Sequence, residues 1–416
     1  MKAVTALFEA IKKNAWKQTR KEVFCVHNKL LALLFAVMFL MMLGFGIIIP
    51  ILPFFAEQIG AGSWEIGILF ASYNIMQFLF SPLWGSLSDR IGRKPLIMAG
   101  LFGFTVTFVL FGLSDTYGEM LVYRILGGIV SAAAIPTVTA MVADVFPPEE
   151  RAKGMGVIGA GVGLSFVFGP VIGGLLGDVN VSYPFFAAAG VAFLTMLFVA
   201  AMLPESLPPE RRGQRGEKER LNPLVAMSGP LALLYNLLFI VSFSFAALEA
   251  TFALYIGHRF GMTAKDLGYM FLVMGVIAAL VQGGLIGQMV KKWGEPPVLS
   301  LGLAFYAAGF LLILVGQGFW SLSLFLSLFG AGQGMIRATA TSLITRRTNQ
   351  AQGVTSGAMS SMDSLGRILG PLVGGALFSW HYSAPYIAGA LLVGAMLLLF
   401  LLHNRNLPEP EATKSR

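Results

Sequence analysis

The sequence predicts an all-α membrane protein in which twelve transmembrane helices form two pseudo-symmetric six-helix bundles. Composition is the first reason: of the 416 residues, 56% are hydrophobic and 12% are charged. Soluble domains carry about 25% charged residues, so a chain this long and this apolar needs lipid as its solvent. The other two reasons are the spacing of the apolar segments and an internal repeat.

Twelve apolar segments are each long enough to cross about 30 Å of hydrocarbon, because a helix rises about 1.5 Å per residue. They cover residues 30–55, 65–86, 95–113, 119–142, 152–176, 183–203, 229–256, 265–289, 297–316, 320–343, 353–378 and 383–403. We therefore expect one bundle at 30–203 and a second at 229–403. A polar central loop at 204–228 joins them, and a tail follows at 404–416.

The first 29 residues hold seven lysines and arginines and no long apolar core, which is unlike a signal peptide. Apolar residues recur at helical spacing opposite the lysines. The pattern at 1–29 is typical of a basic amphipathic helix on an anionic membrane surface, and a disordered basic tail explains it equally well.

Lysine and arginine are concentrated on one side of the predicted helices. With a cytoplasmic N-terminus, 24 of the 29 fall in cytoplasmic tails and loops, whereas the opposite face holds Arg259 and Lys265. The positive-inside rule therefore predicts that both termini are cytoplasmic. The same asymmetry explains the formal charge of +8, so we expect no nucleic-acid partner.

The two halves resemble each other at an offset near 201 residues. The matching pairs are Gly169–Gly174 with Gly370–Gly375, Glu65, Gly67 and Phe70 with Asp266, Gly268 and Phe271, and Gly85, Gly92 and Pro95 with Gly287, Gly294 and Pro297. Three collinear matches indicate duplication. A transporter built from such repeats binds its substrate between the halves near the bilayer midplane.

Several other classes of site lack the residues they need. Cys25 is the one cysteine, so no intrachain disulfide can form, and the four histidines have no metal-ligand spacing. No phosphate-binding loop and no catalytic triad is recognisable, and the glycine runs lie inside apolar segments, where they let helices pack closely. We expect no cofactor, no metal and no enzymatic activity.

Five charged residues fall well inside the predicted spans: Arg124, Glu249, Arg337, Asp363 and Arg367. An ionised side chain at mid-bilayer costs about 2.5–3.5 kcal/mol, so such residues usually face a watery cavity and function there. We assign proton coupling to these five. Asp363 and Arg367 are four residues apart on one helix, which predicts an ion pair, and a purely structural pair is the alternative.

Glu249 has no opposite charge within one turn of its own helix. It must pair across helices, with Arg337 or Arg367, or carry a proton. A carboxyl group that gains and loses a proton in the membrane is a candidate for proton coupling or cation recognition.

The loop Gly85-Ser-Leu-Ser-Asp89-Arg90-Ile-Gly92-Arg93-Lys94-Pro95 resembles the signature between helices 2 and 3 of the major facilitator superfamily. Arg124-Ile-Leu-Gly127-Gly128 resembles the helix 4 motif of proton-coupled members. Gly169-Pro170-Val-Ile-Gly173-Gly174 resembles the helix 5 motif of antiporters, with Ser165 in place of the usual leading glycine. The resemblance covers about 30–403.

The resemblance implies a twelve-helix drug:proton antiporter similar to bacterial multidrug and tetracycline exporters. Such a protein would be a monomer in the bacterial inner membrane. It would export lipophilic, often cationic, compounds and have a small molecule, protons and lipid as its partners. Asp89, near the end of helix 2, would dock on the positive end of a helix near residue 353 and latch the cytoplasmic gate. A simple turn stabilised by Gly92, Arg90 and Arg93 is the alternative.

By the same resemblance we assign substrate contact to Gln77, Phe166, Glu249, Trp320 and Arg367, although core packing explains Gln77, Phe166 and Trp320 about as well. Some resembling exporters carry an acid before Met-Ile-Arg in helix 10, where this chain has Gly334, and Asp363 is the candidate to take over that role.

Two rival functions stay open at this point. A sugar or metabolite uptake transporter of the same fold would have more Asn, Gln and polar pairs in its cavity. A membrane sensor or enzyme would need a soluble domain or a catalytic constellation.

Overall fold

The computed structural model describes residues 30–213, 231–348 and 352–403, so the predicted N-terminal helix and most of the central loop lie outside the described residues. Within these ranges the chain forms twelve long helices. They are α1 Leu30–Gln58, α2 Ser63–Ile91, α3 Arg93–Gly112, α4 Tyr117–Val145, α5 Pro148–Val179, α6 Tyr183–Met202, α7 Ala232–Phe260, α8 Ala264–Trp293, α9 Glu295–Val315, α10 Phe319–Arg347, α11 Gln352–Trp380 and α12 Ala384–His403.

Most of these helices extend beyond the predicted apolar spans, because helices continue into water after the hydrocarbon ends. Side chains cap several of them. Glu65 accepts a hydrogen bond from the amide of Gly62 at 2.7 Å, and the repeat-related Asp266 accepts one from Thr263 at 2.9 Å. Such capping begins a helix several residues before its apolar stretch.

Three helices are interrupted at points that the apolar pattern does not predict. A turn at residues 49–51, which includes Pro50, interrupts α1. A second turn, between Ser131 and Ala134, interrupts α4. The α4 turn lies just before Pro136, whose ring cannot supply a helical N–H. In α8 the segment Val281–Leu285 widens into a π-helix.

The outward surface of the helices is apolar, as contact with lipid requires. Leu194, Leu280 and Leu391 are each more than 60% exposed. Eleven of the described helices are long and apolar enough to cross a membrane. The remaining helix, α11, has 29 residues but carries Asp363, Arg367 and a run of serines. The chain is therefore a multi-pass membrane protein.

Within each half short connections make successive helices antiparallel, and the turns of both halves meet at one face, as the contact of His258 with Glu57 shows, so residues 30 and 403 lie at the other face of the bundle. We call this the terminal face, and we call the opposite face, which carries the turns at 59–62, 113–116, 180–182, 261–263, 316–318 and 381–383, the distal face.

Glycines bring α5 and α8 into backbone contact near the distal face. A Cβ atom added at Gly174 in α5 would lie 2.5 Å from the carbonyl oxygen of Ala264 in α8. One added at Gly268 in α8 would lie 2.5 Å from the carbonyl oxygen of Pro170 in α5. No side chain fits in either place, so these glycines permit the contact between the two halves.

The repeat-related glycines make the same contact between α11 and α2. A Cβ atom at Gly375 would overlap the carbonyl oxygen of Ser63, and one at Gly67 would overlap that of Pro371. We call these two symmetric contacts, α5 with α8 and α2 with α11, the distal seal.

Polar contacts reinforce the closure of the distal face. The hydroxyls of Ser63 and Ser379 lie 2.8 Å apart, and the imidazole of His258 in α7 contacts the carboxylate of Glu57 in α1. Toward the terminal face a Cβ atom added to the glycines of the same helices would meet no neighbouring atom of the described structure within 4 Å. These glycines are Gly85 in α2, Gly156 and Gly159 in α5, and Gly283 and Gly287 in α8. Among the described residues, the bundle is therefore closed at the distal face and open toward the terminal face, where the space between the halves lies.

We predict that a disulfide across the distal seal traps this open state and stops transport. With Cys25 replaced by serine, Ser63→Cys with Ser379→Cys should crosslink readily, since the native hydroxyls are 2.8 Å apart. Reduction should restore transport in vesicles.

The matched control places cysteines on the same two helices near the terminal face, at Leu83 and Gly357, both of which are exposed. This pair should crosslink slowly in detergent without substrate. Faster crosslinking at the terminal pair than at the distal pair would contradict the open state described here.

Candidate substrate cavity and charged cluster

A cavity of about 710 Å³ lies between the two halves and reaches toward the terminal face. Five helices of the first half and two of the second, α10 and α11, line it. Most lining residues are apolar, including Met38, Met41, Met42, Phe45, Phe78, Phe104 and Phe166. Eleven of the 27 lining residues are polar or charged, and a concave, mainly apolar space with polar anchors is typical of a small-molecule binding site.

Three of the five residues predicted to contact substrate, Gln77, Phe166 and Arg367, line the cavity. Glu249 is not among the lining residues. Trp320 does not line the cavity either. It lies in the first turn of α10 at the distal face, is 79% exposed and packs against Phe319. The structure therefore gives Trp320 no contact with the cavity, and its predicted role has no geometric support in this conformation.

Asp363 in α11 is held by donors from three helices. Its Oδ1 accepts hydrogen bonds from the Ser242 hydroxyl of α7 at 2.5 Å and from Nη2 of Arg337 in α10 at 3.0 Å. Its Oδ2 accepts from Nε of Arg367 at 3.3 Å. The ion pair predicted from the four-residue spacing is present, and Arg337 completes a three-charge group at the cavity wall.

Arg124 in α4 is 5% exposed and lies outside the cavity lining. Its guanidinium carbon lies 4.4 Å from the ring centroid of Tyr73, and its Nε donates to the carbonyl oxygen of Leu69 at 3.4 Å. Aromatic faces stabilise a guanidinium that has lost its water. Tyr73 lines the cavity, so Arg124 sits directly behind its wall.

Glu249 in α7 is partly buried and lies within electrostatic range of Arg367 from its own half and Arg124 from the other. In the described part of the chain no hydrogen bond joins its carboxyl group to another residue, and it is not part of the cavity lining. Of the two predicted partners, Arg367 lies within electrostatic range of Glu249 and also pairs with Asp363, whereas the described contact of Arg337 is with Asp363. We call Arg124, Glu249 and Arg367 the central charge cluster.

The predicted gating loop is folded tightly around Arg93, whose side chain is 1% exposed. Its Nη2 contacts Asp89 Oδ1 at 2.5 Å, its Nε contacts Asp144 Oδ2 at 2.9 Å, and its Nη1 donates to the Ser88 hydroxyl. Arg90, three residues earlier, lies outside this network and is exposed. The docking of Asp89 near residue 353 concerns a helix end next to undescribed residues and stays a prediction.

Sequence reasoning missed Glu205, which follows α6. Its carboxylate accepts hydrogen bonds from the amides of Arg93 at 2.9 Å and Lys94 at 3.1 Å and so caps α3. Gly92 has φ of 111°, and a Cβ atom there would lie 2.6 Å from Glu205 Oε2. The acid next to Pro204, at the end of an apolar span, was the available signal.

The predicted antiporter motif divides its contacts between two neighbours. Gly169 and Gly173 press against α1, at Gly46 and Ile47, while Gly174 joins the distal seal. Among the described residues no group of three or more His, Cys, Asp or Glu side chains could hold a metal ion.

Comparison with known proteins identifies the family. The model of the Major Facilitator Superfamily matches residues 34–295 and 238–416. The chain belongs to this superfamily. It is 32% identical over 375 residues to "Multidrug resistance protein 2" of Bacillus subtilis, covering 88% of this chain and 94% of that protein. It is 28% identical over 381 residues to "Quinolone resistance protein NorA" of Staphylococcus aureus, covering 91% and 98%.

Solved structures of transporters have the same fold. The human organic anion transporter MFSD10 (TETRAN) matches with a TM-score of 0.67 and 25% identity, over 90% of this chain and 99% of that one. The nucleoside transporter NupG matches with a TM-score of 0.74 and 12% identity, again over 90% and 99%. The predicted major facilitator fold is therefore confirmed.

We predict that Arg93→Gln destabilises the protein far more than Arg90→Gln. Removing one partner from a buried ion network typically costs about 3–5 kcal/mol, since the remaining charges are left uncompensated, whereas a surface arginine contributes about 0–1 kcal/mol. Thermal unfolding in detergent, followed by size-exclusion chromatography, measures both. Equal melting temperatures for the two variants would contradict the network described around Arg93.

Proposed function

We propose that this chain exports lipophilic drugs in exchange for protons by alternating access. The cavity carries the proposal: a largely apolar space of about 710 Å³ between the two halves, which ends beside the central charge cluster. The multidrug and quinolone resistance proteins to which the chain is similar support a drug as the cargo.

In the proposed cycle the open terminal face is cytoplasmic, as the distribution of lysine and arginine predicts. A drug enters from the cytoplasm or the inner leaflet and packs against the methionine and phenylalanine side chains. The two halves then close at the terminal face and part at the distal seal, which exposes the cavity to the other side. The protein acts as a monomer in a bacterial cell membrane.

Glu249 is the proposed coupling acid. It is the one carboxylate of the central charge cluster, it lacks a hydrogen-bonded partner among the described residues, and one arginine from each half acts on it electrostatically. Protonation removes its attraction to Arg124 and Arg367 and so changes the electrostatic energy of bringing the halves together. Asp363 is less suited, because three donors already hold it.

Uptake of a sugar is the rival within this fold, and the lining argues against it. A sugar needs hydrogen-bonding groups around its whole surface, whereas most of the residues along this cavity are apolar.

We predict that purified protein in liposomes moves ethidium or a fluoroquinolone when a proton gradient is imposed, and that an uncoupler abolishes the movement. Glu249→Gln preserves the size of the side chain but cannot release a proton, so exchange should stall while drug binding in detergent persists.

The control is Glu295→Gln, because Glu295 pairs with Arg346 and Ser342 at the terminal face, outside the cavity lining. It should transport at close to the wild-type rate. Wild-type transport and pH dependence in Glu249→Gln would remove Glu249 from the mechanism, and uncoupler-resistant transport would remove proton coupling.

A further inference from the structure

A side pocket of about 210 Å³ adjoins the main cavity among α7, α10 and α11. It shares Arg337, Ser360 and Asp363 with the main cavity. Seven of its ten lining residues are polar, in contrast to the apolar main cavity. A ligand that fills both spaces would place an apolar body in the cavity and a compact polar group in the side pocket, which has room for that group and several waters.

The positive and negative charges that face these two spaces do not cancel. Among the described residues that line them, the charged side chains are Arg337, Arg367 and Asp363, which gives a net charge of +1. Asp363 already accepts hydrogen bonds from both arginines and from Ser242, so its oxygens are engaged. A cationic group entering here would have to displace a guanidinium to reach the acid.

Arg337 has donors to spare. Its side chain is 54% exposed, and its hydrogen bond to Asp363 uses Nη2. In the described structure Nε and Nη1 of Arg337 have no protein acceptor. A guanidinium presents paired N–H groups that match the two oxygens of a carboxylate. Gln333 and Thr341 from the same helix supply further polar groups to the pocket.

Glu249 and Arg124 carry opposite charges, so counting both leaves the net charge at +1. Glu249 lies outside the lining of both spaces and interacts with Arg124 and Arg367. The field that an entering molecule meets is therefore set mainly by the guanidinium of Arg337.

We propose that the side pocket binds a carboxylate group of the transported compound through Arg337. The preferred substrates are then amphiphiles that carry one carboxylate on an apolar, ring-containing body. A single negative charge balances the net charge of the lining, whereas a doubly charged phosphate would exceed it. This inference rests on the proposed export function, for which it names the substrate class.

Binding of a matched acid and ester tests the pocket directly. Purified full-length protein in detergent is titrated with norfloxacin, which carries a carboxylate, and with the ethyl ester of norfloxacin, which does not. A charge-assisted bidentate contact should make the acid bind about tenfold more tightly than the ester. Equal affinity, or tighter binding of the ester, overturns the proposal.

Variants then identify the residue that causes the preference for the acid. The measured quantity is the affinity for norfloxacin divided by the affinity for its ethyl ester. Arg337→Gln should bring the ratio close to one, and Arg337→Lys should leave an intermediate ratio, since the charge remains but the paired N–H groups are lost. Arg346→Gln is the control on the same helix, because Arg346 lies at the terminal face near Glu295 and should keep the wild-type ratio. A wild-type ratio in Arg337→Gln overturns the proposal.

Gln333→Leu keeps the test decisive if Arg337→Gln does not fold. This substitution removes a polar group from the side pocket without removing a charge, and it should lower the acid-to-ester affinity ratio about threefold. An unchanged ratio overturns the proposed site. The carboxylate site and the proposed export function can be refuted independently. Proton-driven ethidium transport with a ratio of one would refute the carboxylate site alone, whereas a large ratio without proton-driven transport would refute the exchange alone.

Discussion

The structure depends on backbone contact at the distal seal, where helices of opposite halves touch without side chains between them. Gly174 and Gly268 permit it between α5 and α8, and Gly375 and Gly67 permit it between α11 and α2. Contacts this close add van der Waals attraction between the helix backbones, and they exclude water from the distal end of the cavity. This closure sets the distal limit of the space between the two halves.

The helices of the distal seal also carry residues at the central charge cluster. Gly67 and Tyr73 lie on α2, six residues or about 9 Å apart along the axis, and Gly375 and Arg367 lie on α11, about 12 Å apart. Any parting of α2 from α11 at the seal therefore moves the wall that carries Tyr73 and Arg124 relative to Arg367. Because Glu249 senses arginines from both halves, its electrostatic environment must differ between the two states.

Much of this architecture could be predicted from the sequence, because the signals are local or repeated. Apolar length predicted the helices, and the offset near 201 paired the four glycines of the seal before their contacts were known. The long-range partners could not be predicted. Ser242 is 121 residues from Asp363, and Glu205 is 112 residues from Arg93, so no spacing rule joins them. Trp320 was chosen by resemblance alone, and the structure places it away from the cavity.

Separation of the drug site from the proton site has a mechanistic consequence. Gln77, Phe166 and Arg337 line the cavity, whereas Glu249 lies behind its wall. Under the proposed function, drug and proton therefore do not compete for one carboxylate, and the exchange must be coupled through the position of the two halves. Such coupling requires only that drug and proton stabilise different arrangements of the seal and the central charge cluster. It sets no condition on the charge of the drug, so an exchanger of this kind can carry a carboxylate-bearing compound while still being driven by protons.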